Sequence, residues 1–178
     1  MDFAKSLVRA IDRLSEFVGR VVSWLTTLLV LVVVYDVFTR YFLKTTIVAI
    51  QEFEWHLFSL IFLLAASYTL KHDKHVRVDV FYARFSKQQQ AWVNLLGGIF
   101  FLIPFALMVI FASQNFVINS FVIGETSPDP GGLPARYLLK AAIPIGFFLL
   151  LLQAFSLAVK SALSIAGVDM GGKETTHA

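Results

Sequence analysis

The stretch QEFEWHLFSLIFLLAASYTLKHDKHVRVDVFY, residues 51–82, decides the fold. It opens on Glu52, Glu54 and Trp55 and runs apolar from Leu57 to Leu70. It then breaks into Lys71, His72, Asp73, Lys74, His75, Arg77 and Asp79. An apolar run held between an aromatic anchor and a cationic exit is the pattern of a membrane-crossing helix. Basic residues gather on the cytoplasmic side of bilayers, so the same stretch predicts that the Lys71 end faces inward.

The composition around it agrees. Of 178 residues, 57% are hydrophobic and 15% charged, with a mean hydropathy of +0.73. A soluble domain is about 45–50% apolar and about 25% charged. The excess gathers in long blocks, as in membrane proteins, and the length suits one compact domain. With no cysteine there is no disulfide and no thiolate chemistry. The net charge of +3 is small and forms no basic patch suited to nucleic acid.

Upstream, residues 1–20 place Phe3, Leu7, Ala10, Ile11, Leu14, Phe17 and Val18 at helical spacing, with Lys5, Arg9, Arg13 and Arg20 on the remaining surface. This predicts an amphipathic helix at the cytoplasmic interface, leading into the first span, with a plain soluble extension of that span as the alternative that the same pattern allows. Asp12 and Glu16 lie among the bases, and no Ala-x-Ala-like site follows residues 24–34, so the segment is expected to be retained. The first span covers residues 21–39, about 20 residues being enough to cross the hydrocarbon core. Asp36 and Arg40, four apart at its outer end, are expected to pair on one helix face.

Residues 42–53 are too short to span and are expected to form a brief interfacial helix or a reentrant link. The second span follows at 54–70. Glu52 and His56, also four apart, are expected to form a local capping pair at the interface, because no other polar group converges on them.

Downstream, Lys71, Lys74, Arg77, Arg84 and Lys87 make a basic cytoplasmic link. His72-x-x-His75 with Asp73 and Asp79 offers two metal-type ligands on one helix face, but no third or fourth ligand at a defining spacing. Contact of Lys71, Lys74 and Arg77 with lipid headgroups is the better expectation. Val76, Val78, Val80 and Phe81 suggest that part of the link folds back on apolar surface.

The third block, residues 91–123, would reach about 50 Å as one helix and must tilt, kink or protrude, with Pro104 as the kink site. Gly97 and Gly98 are expected to permit close helix approach. Gln114, Asn115 and Asn119 gather near its outer end. Residues 124–134, GETSPDPGGLP, hold three prolines and three glycines and read as a fixed turn system with Glu125 and Asp129 as exposed outer acids. The last span covers 135–166, with Pro144 near its start and Gln153 its one deep polar residue. A polar tail, 167–178, ends the chain.

Counting Lys and Arg by side puts eleven with the N-terminus, the second link and the C-terminal end. Only Arg40, Lys44, Arg136 and Lys140 fall on the other side. The fold class is therefore an all-α membrane protein with four transmembrane helices, both termini cytoplasmic and an N-terminal amphipathic interfacial helix.

The span interiors are Leu, Val, Ile, Phe and Ala, with no internal inverted repeat and no matched pair of broken helices of the kind that frames a solute site. No haem-ligating histidine pair, CxxC or Gly-rich phosphate loop is present, so no cofactor, metal or catalytic residue is assigned. An accessory membrane subunit fits this best. The alternative is a membrane-anchor subunit of a redox complex, for which only His56 lies close to a span.

Four features then carry a family resemblance: YDVFTRYFL at 35–43; Glu52, Glu54 and Phe58; HDKHVRVDV at 72–80; and GETSPDPGGLPARYLLKAAIPIG at 124–146. Together they resemble the small membrane subunit of TRAP transporters, the DctQ-like permeases. The resemblance implies a bacterial inner-membrane complex taking up organic acids with sodium. Its partners would be a large membrane subunit carrying the solute and sodium sites, a periplasmic solute-binding protein, and membrane lipids. The small subunit would brace the large one and help dock the binding protein. Asp36, Arg40, Glu52, Glu125 and Asp129 are the candidates for partner contact.

Overall fold

A computed structural model describes residues 2–72, 82 and 84–168. Lys74, Arg77, His75, the 76–81 apolar residues and the tail beyond 168 lie outside these. Among the described residues the structure is all helical, and four helices are long and apolar enough to cross a membrane.

Helix α1 is Asp2–Phe42, 41 residues long. At 1.5 Å per residue it reaches about 60 Å, more than a hydrocarbon core requires. Residues 2–20 are helical but form no separate element, since nothing between the basic extension and the first span breaks the helix. It ends where Lys44 turns into the left-handed region at φ 56°. Helix α2, Val48–Lys71, begins six residues before the expected 54 and takes in Glu52. The separate interfacial helix expected within residues 42–53 is thus corrected. Its apolar residues, Val48, Ile50 and Phe53, are the first turns of α2, and only a short link separates the two spans.

The third span is built in pieces. Helix α3, Lys87–Gly97, starts on a capping box in which the Ser86 hydroxyl accepts from the Gln89 N–H while the Gln89 side chain accepts from the Ser86 N–H. A π turn, Gly98–Leu102, follows, and helix α4, Ile103–Val122, completes the span. The Ile103 N–H bonds back to the Gly98 carbonyl, five residues earlier. Pro104, next in line, has no N–H to donate, so the backbone irregularity gathers in the turn just before it.

Helix α5, Arg136–Ile165, is the centre of the bundle, packed against α1, α2, α3 and α4. In its most apolar stretch 39% is buried, against 11% in each of the other spans. Its buried residues are Ala142, Gly146, Leu150, Gln153, Ala154, Ser156, Ala158 and Ser161. Ala142, Gly146, Leu150, Ala154, Ala158 and Ser161 among them follow at steps of four or three, a seam of mostly small side chains. Within a bilayer helices associate through close packing and hydrogen bonds, and small residues permit the approach. A Cβ at Gly146 would come within 2.7 Å of the Leu63 carbonyl oxygen on α2. One at Gly19 would strike the Tyr68 ring. These are the close crossings, not Gly97 and Gly98, where an added Cβ would meet nothing within 4 Å. Leu70, Leu150 and Ala154 form the apolar core with Ala66, Ile103 and Phe147 against them.

Candidate functional site

The bundle has a loop end, holding residues 123–135 and the first turns of α2 and α5, and a terminal end, holding the start of α1 and the end of α5. Polar side chains converge at both.

At the loop end α4 stops because Gly124 takes φ 59°, which lets the Glu125 N–H reach back to the Ser120 carbonyl at 3.0 Å. The Ser127 N–H bonds to the Leu133 carbonyl and the Gly132 N–H to that of Asp129, each at 3.0 Å, closing a compact loop. The Glu52 carboxylate fastens it. One oxygen accepts from the Ser127 hydroxyl and from the Arg136 guanidinium at 3.2 Å. The other accepts the Leu133 N–H at 2.6 Å. Glu52 is buried, 4% exposed. Gly132 leaves room for it, since a Cβ there would lie 2.8 Å from a Glu52 oxygen. Arg136 also sits 5.5 Å from the centre of the Trp55 ring.

The expected Glu52–His56 side-chain pair is therefore corrected. His56 Nδ1 lies 2.5 Å from the Glu52 backbone carbonyl, and the Glu52 carboxylate turns instead to the loop and α5. A buried carboxylate takes the partners that satisfy both of its oxygens, and a neighbouring ring offers at most one.

Lys140, one turn into α5, pairs with Glu125 and lies 4.0 Å from the centre of the Phe116 ring. Glu125 is thus half-buried and engaged, not the exposed acid expected. Its pairing with the Lys140 ammonium holds its carboxyl below the usual value of 4.5. Asp129 remains exposed. On α1, Asp36 and Arg40 do pair, but Asp36 is only 2% exposed and Arg40 carries the accessible surface. One oxygen each of Asp36 and Glu54 is buried without a hydrogen-bond partner among the described residues.

At the terminal end the deep Gln153 belongs to a network the sequence did not suggest. Its side-chain oxygen accepts from the Ser15 hydroxyl at 2.8 Å, and its nitrogen donates to Asp12 at 3.1 Å. Asp12 also accepts from the Ser156 hydroxyl at 3.1 Å and Lys160 at 2.6 Å. Together these bonds fix α1 on α5. Glu16 fixes α1 on α2, receiving Lys71 at 2.5 Å and facing His72 at 3.1 Å. Lys71, expected at lipid headgroups, is 19% exposed and held by Glu16. Among the described residues no three His, Asp or Glu side chains gather as a metal site.

Between the ends, a groove of about 430 Å³ opens among α2, α4 and α5. Trp55, Phe58, Phe62, Phe116 and Ile143 line it, with Arg136 and Lys140 at its loop end. Both cations already face carboxylates, so the groove offers mainly apolar surface.

No curated protein and no solved structure gives a significant match to the chain. The family described as "Tripartite ATP-independent periplasmic transporters, DctQ component" matches residues 29–163. That span runs from the middle of α1 to the end of α5 and takes in Glu52, the loop-end turn, Arg136 and Gln153. With more than half of its length so matched, the chain belongs to the DctQ family, the small membrane subunits of TRAP transporters.

Proposed function

We propose that this subunit is the static, non-solute-binding scaffold of a sodium-coupled system that takes organic acids across the bacterial inner membrane. Both termini and Lys71 face the cytoplasm in this reading. The chain braces the large membrane subunit, which carries solute and sodium, and its loop end helps dock the periplasmic binding protein.

The observation that carries the reading is that α2 and α5 are tied directly at one end of the bundle and through α1 at the other. Glu16–Lys71 and Asp12–Lys160 join α1 to α2 and α5 at one end. Glu52–Arg136 joins α2 to α5 at the other, with the intervening loop fastened to the same carboxylate. A moving transport element needs a surface along which it can slide, whereas these contacts oppose sliding between α2 and α5. Charges satisfied inside the chain also leave its apolar faces for lipid or a neighbouring subunit. Phe100, Phe101, Phe111 and Phe121 on the third span are all more than half exposed.

Reconstitution tests the proposal. Proteoliposomes holding the large subunit, this chain and the binding protein should accumulate an organic acid on a sodium gradient, and omission of this chain should abolish or strongly reduce uptake. Sodium-driven uptake by liposomes holding this chain alone would overturn it.

A further inference from the structure

The terminal end holds cations that the bundle does not use. On α1, Arg9, Arg13, Glu16 and Arg20 follow one another at steps of four, three and four, which places them on one helix face. Val8, Ile11, Ser15 and Val22 occupy the opposite, buried face. Asp12 lies between the two faces, and both acids reach to other helices, Asp12 to Lys160 on α5 and Glu16 to Lys71 on α2. The three arginines are left outside these pairs and exposed. The Arg9 guanidinium donates only to the Lys5 carbonyl, at 3.2 Å, and the Arg13 and Arg20 side chains have no hydrogen-bond or ion-pair partner among the described residues.

These side chains are not scattered over a convex surface. Arg9, Arg13 and Arg20 line, with Lys71, Asp12 and Glu16, a concavity of about 310 Å³. Its two acids are already neutralised, so among the described residues its guanidinium groups are uncompensated. Phe17 and Trp24, 62% and 76% exposed, continue the arginine face toward the apolar part of the span. Aromatic residues of this kind sit at the headgroup level of a bilayer. Guanidinium groups bind phosphate oxygens in paired, planar geometry better than any other side chain.

We propose that this concavity binds the phosphodiester headgroup of an anionic phospholipid. Arg9, Arg13 and Arg20 grip the phosphate, and the lipid's acyl chains run past Phe17 and Trp24 along the span. A lipid, and not a dissolved phosphate, is the occupant because the site abuts a helix that continues into the bilayer, and basic pockets at that depth face headgroups. The inference needs only that the chain crosses a membrane and is independent of what the transporter carries.

Native mass spectrometry of the full chain in detergent tests it, with phosphatidylglycerol as probe and phosphatidylcholine as control. The wild type should retain phosphatidylglycerol in preference to phosphatidylcholine. Each of R9Q, R13Q and R20Q should weaken the anionic lipid about fivefold, and the triple variant about a hundredfold. None of the three pairs with an acid among the described residues, so thermal unfolding should change little; if the triple variant fails to fold, the single variants give the readout. Equal retention of phosphatidylglycerol by wild type and arginine variants would overturn the site. Displacement of the lipid by millimolar inorganic phosphate would identify a soluble-anion site instead and overturn the lipid assignment.

Discussion

Glu52 and Arg136, 84 residues apart in the chain, meet at 3.2 Å at the loop end of the bundle. Because Glu52 also holds Ser127 and the Leu133 N–H, one carboxylate joins α2, the loop and α5. Removing it leaves an arginine without its acid and a backbone donor without its acceptor. Glu52→Ala should therefore lower the thermal midpoint and expose residues 125–135 to protease. Arg136→Ala should do less, since Ser127 and Leu133 stay bonded. A double variant no worse than Glu52→Ala alone would show the two acting as one unit, and additive losses would separate them.

Gln153 is 1% exposed and engages both Ser15 and Asp12. Hydrogen bonds between helices in membranes contribute about 0.6–2 kcal/mol each. Gln153→Ala should destabilise the bundle by about 1–3 kcal/mol in reversible unfolding by detergent, and Ser15→Ala by less, since Gln153 keeps its bond to Asp12. An unchanged unfolding curve for Gln153→Ala would remove this network from the account of how α1 is held.

The four spans were legible because hydropathy is a local property: twenty apolar residues declare themselves wherever they lie. The Asp36–Arg40 pair was legible for the same reason, as both members share one helix face. The clamp was not. Glu52 has a histidine four residues away and its actual cation 84 residues away, and spacing alone favours the neighbour. A usable signal existed in depth: Glu52 near the start of one span and Arg136 at the start of another stand at the same level of the bundle, and opposite charges at one level are expected to seek each other. The same comparison of levels would have joined Asp12 and Lys160. Glycine spacing misled at Gly97 and Gly98, because small size permits a close approach without requiring one, and here the neighbours of α5 come close elsewhere.

Gly146 and Gly97 make a matched contrast. A Cβ at Gly146 meets the Leu63 carbonyl at 2.7 Å, an atom of helical backbone that cannot rotate away. Gly146→Val should separate α2 from α5 and cost about 1–3 kcal/mol or more. Gly97 has nothing within 4 Å of its added Cβ, so Gly97→Ala should be neutral or stabilise by up to about 1 kcal/mol through helix propensity. Thermal unfolding of the two variants side by side checks both directions.

Glu125 gives a pH dependence with a definite sign. Its carboxyl is held below 4.5 by Lys140, so the unfolded loop binds a proton more readily than the folded one. The stabilisation is present above the ordinary carboxylate value and is lost as pH falls through the lowered one. Hydrogen exchange in residues 124–135 should thus stay slow at neutral pH, after correction for intrinsic rates, and rise on acidification below pH 4.5. Lys140→Met should raise exchange at neutral pH and flatten this dependence. The same acid response in wild type and variant would show that the Glu125–Lys140 pair does not govern it.

Exposure separates the candidates for partner contact. Asp129 and Arg40 present charge at the loop end, whereas Asp36 and Glu52 are buried and Glu125 is paired. A docking protein meets what is accessible, and reversal of an accessible charge acts on encounter and register more than on folding. Asp129→Lys should slow uptake by the assembled system, most at low salt, while membrane insertion and the thermal midpoint hold. Arg40→Glu should slow uptake too but also lower the midpoint, because it leaves the buried Asp36 facing a like charge. Asp36→Asn should instead act mainly on stability, by removing the buried acid that Arg40 pairs with. Uptake assays at two salt concentrations, paired with unfolding curves, distinguish the two behaviours. Normal uptake by both charge-reversed variants at low salt would move the docking contact away from this end of the subunit.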